Sequence, residues 1–144
     1  MPARNMPLPQ PHGPGLASAP RRWPGPWPTD PGCHGPAGAR VDAALALLLT
    51  TLGDLDAAAT AGRPTTEAER GAVRGALAHA GETARAVLTS MYELGSSTAL
   101  YESSRLGRLF RDGHAAAQHA VLSAANYELA GRTVIGIPAG DPTL

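Results

Sequence analysis

Proline sets the first limit on what this chain can fold into. Eleven of its 14 prolines fall within residues 1–38, together with six glycines, and only Pro64, Pro138 and Pro142 follow. Proline removes a backbone donor and blocks helix, and glycine raises the entropic cost of order. Residues 1–38 are therefore expected to be a disordered Pro/Gly-rich leader, and residues 39–144 to hold the folded domain. The leader has no apolar segment of the secretory kind. Arg21-Arg22 resembles the start of a twin-arginine signal, but Trp23, Pro24, Gly25 and Pro26 stand where an apolar stretch belongs. The prolines of Arg22–Pro28 suit a polyproline II ligand, against the plainer reading of an untidy leader without a role.

Charge and cysteine narrow the function classes. The chain has 144 residues, 12 basic and 12 acidic, for zero net charge. All the basic residues are arginine. A balanced chain carries no electrostatic footprint for nucleic acid or an anionic membrane, so neither partner is expected. The single cysteine, Cys33, excludes an intrachain disulfide framework and a multi-cysteine zinc site. No apolar run approaches the roughly 20 residues of a bilayer span, and the expected location is cytoplasmic.

From Ala39 the pattern is helical. Leu45, Leu48, Leu49, Leu52 and Leu55 recur at three- and four-residue steps, which predicts one buried face on a helix over about 40–61. Gly62-Arg63-Pro64 stops it. Thr66-Glu67-Ala68-Glu69 has the form of a capping box and opens a second helix, about 66–94, with the stripe Val73, Leu77, Ala80, Ala84, Val87, Leu88 and Met91. Gly71, Gly75 and Gly81 weaken that helix by up to about 1 kcal/mol each but permit close packing of a neighbour. After Gly95-Ser96-Ser97-Thr98, a third helix is expected over about 103–132, roughly 45 Å long. Strand-type alternation is absent. The predicted fold is all-α: three long antiparallel helices of an incomplete four-helix bundle. Their small and widely spread apolar positions imply neighbours, either other domains or other subunits.

The third predicted helix carries the densest polar cluster. At 100 degrees per residue Arg108, Asp112 and His119 fall within about 40 degrees of one another, with Arg111 some 60 degrees aside. Arg108 and Asp112 can form a surface ion pair, and Arg108 or Arg111 can bind phosphate through the guanidinium fork. His119 is a candidate general base or hydrogen-bond donor. A solvated charged face is the competing reading. His114 and His119 are five apart, not the four that would pair them for a metal, so no metal site is expected.

The stretches Leu94-Gly95-Ser96-Ser97-Thr98-Ala99-Leu100-Tyr101-Glu102-Ser103-Ser104, Arg108-Leu109-Phe110-Arg111-Asp112-Gly113-His114-Ala115-Ala116-Ala117-Gln118-His119 and Tyr127-Glu128-Leu129-Ala130-Gly131-Arg132 resemble the C-terminal helical domain of acyl-CoA dehydrogenase-like flavoproteins. Within them they are most similar to the two-component flavin-dependent monooxygenases. The resemblance covers about residues 40–144. It implies a flavin-dependent oxidoreductase using FAD or FMN, with His119 near the flavin, Arg111-Asp112 as a signature of the same helix, and Arg108 as a candidate for the flavin phosphate. It also implies an N-terminal helical domain and a β-barrel, which this sequence lacks. No glutamate stands where a dehydrogenase base is implied, which favours the monooxygenase branch. The expected partners are copies of itself or a full-length flavoprotein subunit. Two functions follow: a flavoenzyme fragment inactive alone, or a non-enzymatic helical assembly module.

Overall fold

The computed structural model of the chain describes residues 31–140, with side chains from Gly35 onward. Four α-helices follow one another: α1 (Pro31–Thr60), α2 (Glu67–Leu94), α3 (Arg105–Ala116) and α4 (Ala125–Val134). Single 3₁₀ turns, Ser96–Leu100 and Ala120–Leu122, join α2 to α3 and α3 to α4. Among the described residues there is no strand, and the chain is all-α. Helix α2 is the hub. Helix α1 packs along it on one side, and α3, the Ala120–Leu122 turn and α4 pack on it in succession.

Helix α1 begins earlier than the proline distribution suggests. Residues 31–38, read as leader, are helical, and Cys33 and His34 lie in that helix; residues 1–30 lie outside the described residues. Pro31 occupies the first helical position, where its missing N–H has no intrahelical partner and its fixed φ suits the helix. Pro36 sits inside the helix and removes one donor, while its ring lines a groove against α2. The far end of α1 closes as expected. Gly62 takes φ 66°, the Gly62 N–H donates to Ala59 O (3.0 Å), and the Arg63 N–H to Ala58 O (3.1 Å). This is a Schellman stop, which needs a left-handed residue and finds it in glycine.

The predicted capping box is present. The Glu69 N–H donates to Thr66 Oγ1 (3.2 Å), and the Thr66 N–H to Glu69 Oε2 (2.8 Å). Arg63 adds a second hold across the α1–α2 loop, donating from Nη1 to Glu69 Oε2 at 3.0 Å. The guanidinium, with the Thr66 amide, lowers the Glu69 carboxyl to about 2.

The inward face of α1 is not the predicted leucine stripe. Ala44, Thr51 and Ala58 are buried, with Ala37, Leu48 and Leu55 half-buried between them. Leu45, Leu49 and Leu52, expected in the core, are 43–48% exposed, as are Val41 and Leu47 (44–45%). At 100 degrees per residue Val41, Leu45, Leu49 and Leu52 share a second face, roughly a quarter turn from the first. Small residues inside let α1 lie close on α2; the large ones point away. By length and composition α1 from Gly35 to Thr60 is also apolar enough to cross a membrane, contrary to the reading that no stretch approaches a span. Its alanine and threonine seam along α2 makes it a bundle helix in this structure.

The glycines of α2 mark where the second half of the chain seats. A Cβ on Gly81 would lie 2.8 Å from Leu122 O and 2.9 Å from Leu122 Cβ. One on Gly75 would lie 3.2 Å from Ala130 Cβ, and one on Gly71 would overlap Thr133. The close approach read from the sequence is thus an approach of α4 and its preceding turn. Tyr127 closes the same seam by donating to Glu82 Oε2 at 2.9 Å.

The predicted third helix, 103–132, is two helices with a break. Helix α3 ends at Ala116, and the chain turns through His119 (φ −62°, ψ 135°) before α4 starts at Ala125. The apolar positions keep a helical rhythm through the break, so periodicity alone runs across it.

Candidate functional site

Side chains replace the backbone hydrogen bonds lost between α3 and α4. Arg85, from α2, donates through Nη1 to Ala117 O at 3.0 Å. Asn126 donates through Nδ2 to Ala120 O (3.2 Å) and Val121 O (3.0 Å). The Val121 N–H donates to His119 Nδ1 at 3.3 Å, and the Ala125 N–H to Ser123 Oγ at 3.3 Å. An interrupted helix leaves donors and acceptors that must find partners, and these four residues supply them. Ser123 is a capping-class residue just ahead of α4, a start signal present in the sequence. Arg85 and Asn126 were not singled out there, because their partners are backbone groups of a turn that no periodicity shows.

This break dissolves the common face that grouped Arg108, Asp112 and His119. Arg108, Arg111 and Asp112 do lie together on α3, all exposed. Arg108 and Asp112 form no ion pair in the structure, nor does Arg111 with any described residue. Arg111 folds back along its own helix, with Nη1 3.6 Å from where a Cβ on Gly107 would stand. His119 sits at the head of the Ala120–Leu122 turn, exposed, with Nδ1 accepting from the backbone. In the neutral ring that leaves the proton on Nε2, so the outward atom is a donor rather than a base. The structure therefore offers two free guanidinium groups and a carboxylate on α3, and an imidazole N–H from a separate turn.

His114, the other histidine of the cluster, has a packing role. Its ring stacks on Phe110 with centroids 4.2 Å apart, and Phe110 stacks on Tyr92 of α2 at 4.4 Å. His114 Nδ1 donates to Phe110 O at 3.0 Å, which orients Nε2 toward Thr89 Oγ1 at 3.5 Å. This aromatic clasp fixes α3 on α2 and sets the direction in which Arg108 and Arg111 project. The start of α3 is held by Ser104, whose Oγ accepts the Gly107 N–H at 3.4 Å. Gly107 itself passes so close to the Ser96–Leu100 turn that a Cβ would lie 2.7 Å from Ala99 O.

Among the described residues no wall stands over these groups. Arg105, Arg108, Arg111, Asp112, Ala115, Gln118 and His119 are all exposed. A cofactor with a large ring needs a mostly buried, largely apolar pocket around a few polar anchors. The α3 face has anchors for an anionic group and no described residue that encloses a ring, so the described residues do not by themselves fit a flavin. The described concavity lies elsewhere, in a groove of about 390 Å³ between the N-terminal part of α1 and the C-terminal part of α2.

No match was found among curated proteins or among solved structures. The family model described as acyl-CoA dehydrogenase, C-terminal domain, matches residues 35–124. That span takes in α1 from Gly35 onward, α2, α3 and the Ala120–Leu122 turn, so it reaches well beyond the stretch from Leu94 onward that most resembles the family. This match covers more than half of the chain and makes it a member of the acyl-CoA dehydrogenase C-terminal domain family.

Proposed function

We propose that the chain is an assembly domain of a flavin-dependent oxidoreductase of the acyl-CoA dehydrogenase kind, without turnover on its own. One observation carries the reading: α1 buries alanine and threonine against α2 and turns Val41, Leu45, Leu49 and Leu52 outward, each 43–48% exposed. Large apolar side chains gather on an outer helix face when another surface covers them. The occupant is a second copy of the chain or the matching face of a full-length flavoprotein subunit. Burying four such side chains stabilises the assembly by several kcal/mol at about 25 cal/mol per Å².

Flavin chemistry, if the assembly performs it, draws on groups from beyond this chain. Arg108 and Arg111 are free to take an anionic oxygen in bidentate fashion. His119 presents its Nε2 proton, and Asp112 sits beside Arg111. The FAD or FMN ring would then be enclosed by the partner, and the monooxygenase branch is the better fit of the two. The non-enzymatic module remains the second reading, favoured by the capping role of His119, which a purely structural residue would share.

Sedimentation of the purified chain tests the assembly. We expect a mass above the monomer, falling to the monomer in Leu45→Asp/Leu49→Asp with the helix content kept. A wild-type chain that stays monomeric at every concentration, with no partner recovered from cells, overturns it. Titration with FAD and with reduced FMN tests the second half. Weak binding, unchanged in Arg111→Ala and His119→Ala, is expected; tight binding lost in those variants would show a complete flavin site on this chain.

A further inference from the structure

Helix α2 continues the leucine face of α1. Val73, Val87 and Leu94, spaced in multiples of seven residues, follow the α1 seam: Val73 is buried, and Val87 and Leu94 line the groove with Pro36 and Ala37. The row Arg70, Leu77 and Ala84 lies about 60 degrees further round the helix. On α1, Val41, Leu45, Leu49 and Leu52 lie further round in the same sense from the seam of Ala44, Thr51 and Ala58. Between antiparallel neighbours, rotations of one sense away from a shared seam lead to the same side of the pair. Ala84 is exposed, and Leu77 and Arg70 are half-buried. The α1–α2 hairpin thus carries one broad face made of two helices, on a different side from the glycines that receive α4.

This face is complementary to a copy of itself. Its α1 half carries large side chains, and its α2 half carries a small one, Ala84, near the middle. At the loop end stand a carboxylate on α1, Asp56, and a guanidinium on α2, Arg70. Asp56 has no ion pair among the described residues. Arg70 donates from Nη1 to Thr65 O at 2.7 Å and keeps donors on its other nitrogens. Half a turn about an axis along the helices sets α1 of each copy over α2 of the other, with both loops at one end. Leucines then meet Ala84, and Asp56 meets Arg70 twice. Setting α1 on α1 antiparallel about the middle of the stripe instead brings Asp56 of one copy to Asp42 of the other, like charge on like charge. From Val41 to Asp56 the face is about 22 Å long and, across two helices, about 20 Å wide, roughly 450 Å² on each copy. Two such faces come close to the roughly 1,000 Å² of a specific interface, which suits a reversible dimer.

Resting on the assembly reading, we propose that a second copy of this chain covers this face. The α1 leucines of each copy lie over Leu77 and Ala84 of the other, and Asp56 of each pairs with Arg70 of the other.

Sedimentation of the full chain reads the outcome. Wild type is expected to be a dimer that dissociates on dilution. Ala84→Arg should abolish the dimer with helix content unchanged, and Ala86→Arg, exposed on the opposite side of α2, should not. Asp56→Arg and Arg70→Asp each create two like-charge contacts and should weaken the dimer about tenfold or more, and the two together in one chain should restore it. A dimer that Leu45→Asp/Leu49→Asp breaks and Ala84→Arg leaves intact overturns this placement while the assembly reading stands. Failure of the charge exchange to rescue does the same. A chain monomeric alone but recovered from cells with a flavoprotein subunit overturns the second copy and leaves the assembly reading. A monomer with no partner overturns both.

Discussion

Replacing Gly81 by alanine sets helix propensity against packing, and the structure decides the winner. In a helix interior alanine is favoured over glycine by about 1 kcal/mol. At Gly81 the added Cβ would stand 2.8 Å from Leu122 O and 2.9 Å from Leu122 Cβ, both tighter than real contacts. Relief cannot come from a rotating side-chain tip, since the obstacle is backbone. That backbone is itself tied, with the Leu122 N–H donating to His119 O at 2.9 Å and Asn126 holding the carbonyls of Ala120 and Val121. Overpacking of this kind costs about 1–3 kcal/mol and here must move the whole Ala120–Leu122 turn. The net expectation is a loss of about 1–2 kcal/mol, a large fraction of the stability of a small domain. Gly131→Ala is the control. It lies within α4 with nothing inside 4 Å of the new Cβ, and should gain about 0.5–1 kcal/mol. Urea unfolding followed by circular dichroism reads both as shifts in midpoint at unchanged slope. A Gly81→Ala chain as stable as Gly131→Ala would refute the seating of the turn on α2.

Three further outcomes follow from single contacts. Thr66→Ala removes the α2 cap and should cost about 1 kcal/mol in thermal unfolding, while Thr66→Ser keeps most of it. The Glu69 carboxyl is held at about 2, against 4.5 unperturbed, chiefly by Arg63. Its contribution is present above the unfolded value and is lost as pH falls toward about 2, so the gap between wild type and Glu69→Gln should close across that window in acid titrations of stability. Burial, and donation to Glu82, raise the Tyr127 hydroxyl above 10. The α2–α4 seam should then hold below pH 10 and weaken as pH rises past it, and Tyr127→Phe should remove that alkaline loss in amide exchange of α4.

Features written in short-range chemistry were legible in the sequence. Gly62 ends α1, and Thr66 and Glu69 cap α2, each because one residue type answers one unsatisfied backbone group. The stripe of α2 was half legible. Val73 is buried, but Ala84 is exposed, because a hub helix is contacted on two sides and has no single inner face. The break at 117–124 was not legible from periodicity. Leu106, Leu109, Phe110, Ala117, Ala120, Val121 and Ala124 fall within about 120 degrees at 100 degrees per residue, whether the backbone between them is helical or turned. The information lay in the capping residues, Ser123 with Asn126, and in Arg85, which reaches it from 32 positions away. For the candidate site the consequence is direct. Arg108, Arg111 and Asp112 lie together because they fall within one unbroken helix, and His119 leaves their face because the break falls between it and them.

Helix α1 shows why a hydrophobic pattern identifies faces without ranking them. Leu45, Leu48, Leu49, Leu52 and Leu55 are spread over about a third of the helix circumference, and α2 does not cover them all. Within the chain the neighbour is α2, which buries alanines of its own, Ala76 and Ala78, while its glycines face α4 and the turn before it. A helix of small residues is best met by small residues, since close approach brings backbone and Cβ atoms into contact along the full length. Ala44, Thr51 and Ala58 meet that requirement, and turning them inward turns Leu45, Leu49 and Leu52 outward. Exchanging the faces would place leucines against the flat side of α2 and hold the helices apart, losing the seam and leaving alanines on the outer surface, where they offer a partner little. The arrangement seen satisfies the tight intrachain seam and leaves the larger apolar area for another surface. The same logic separates the two halves of the chain: α4 and its turn approach α2 at glycines, whereas α1 lays small residues on α2 and leaves its leucine face outward.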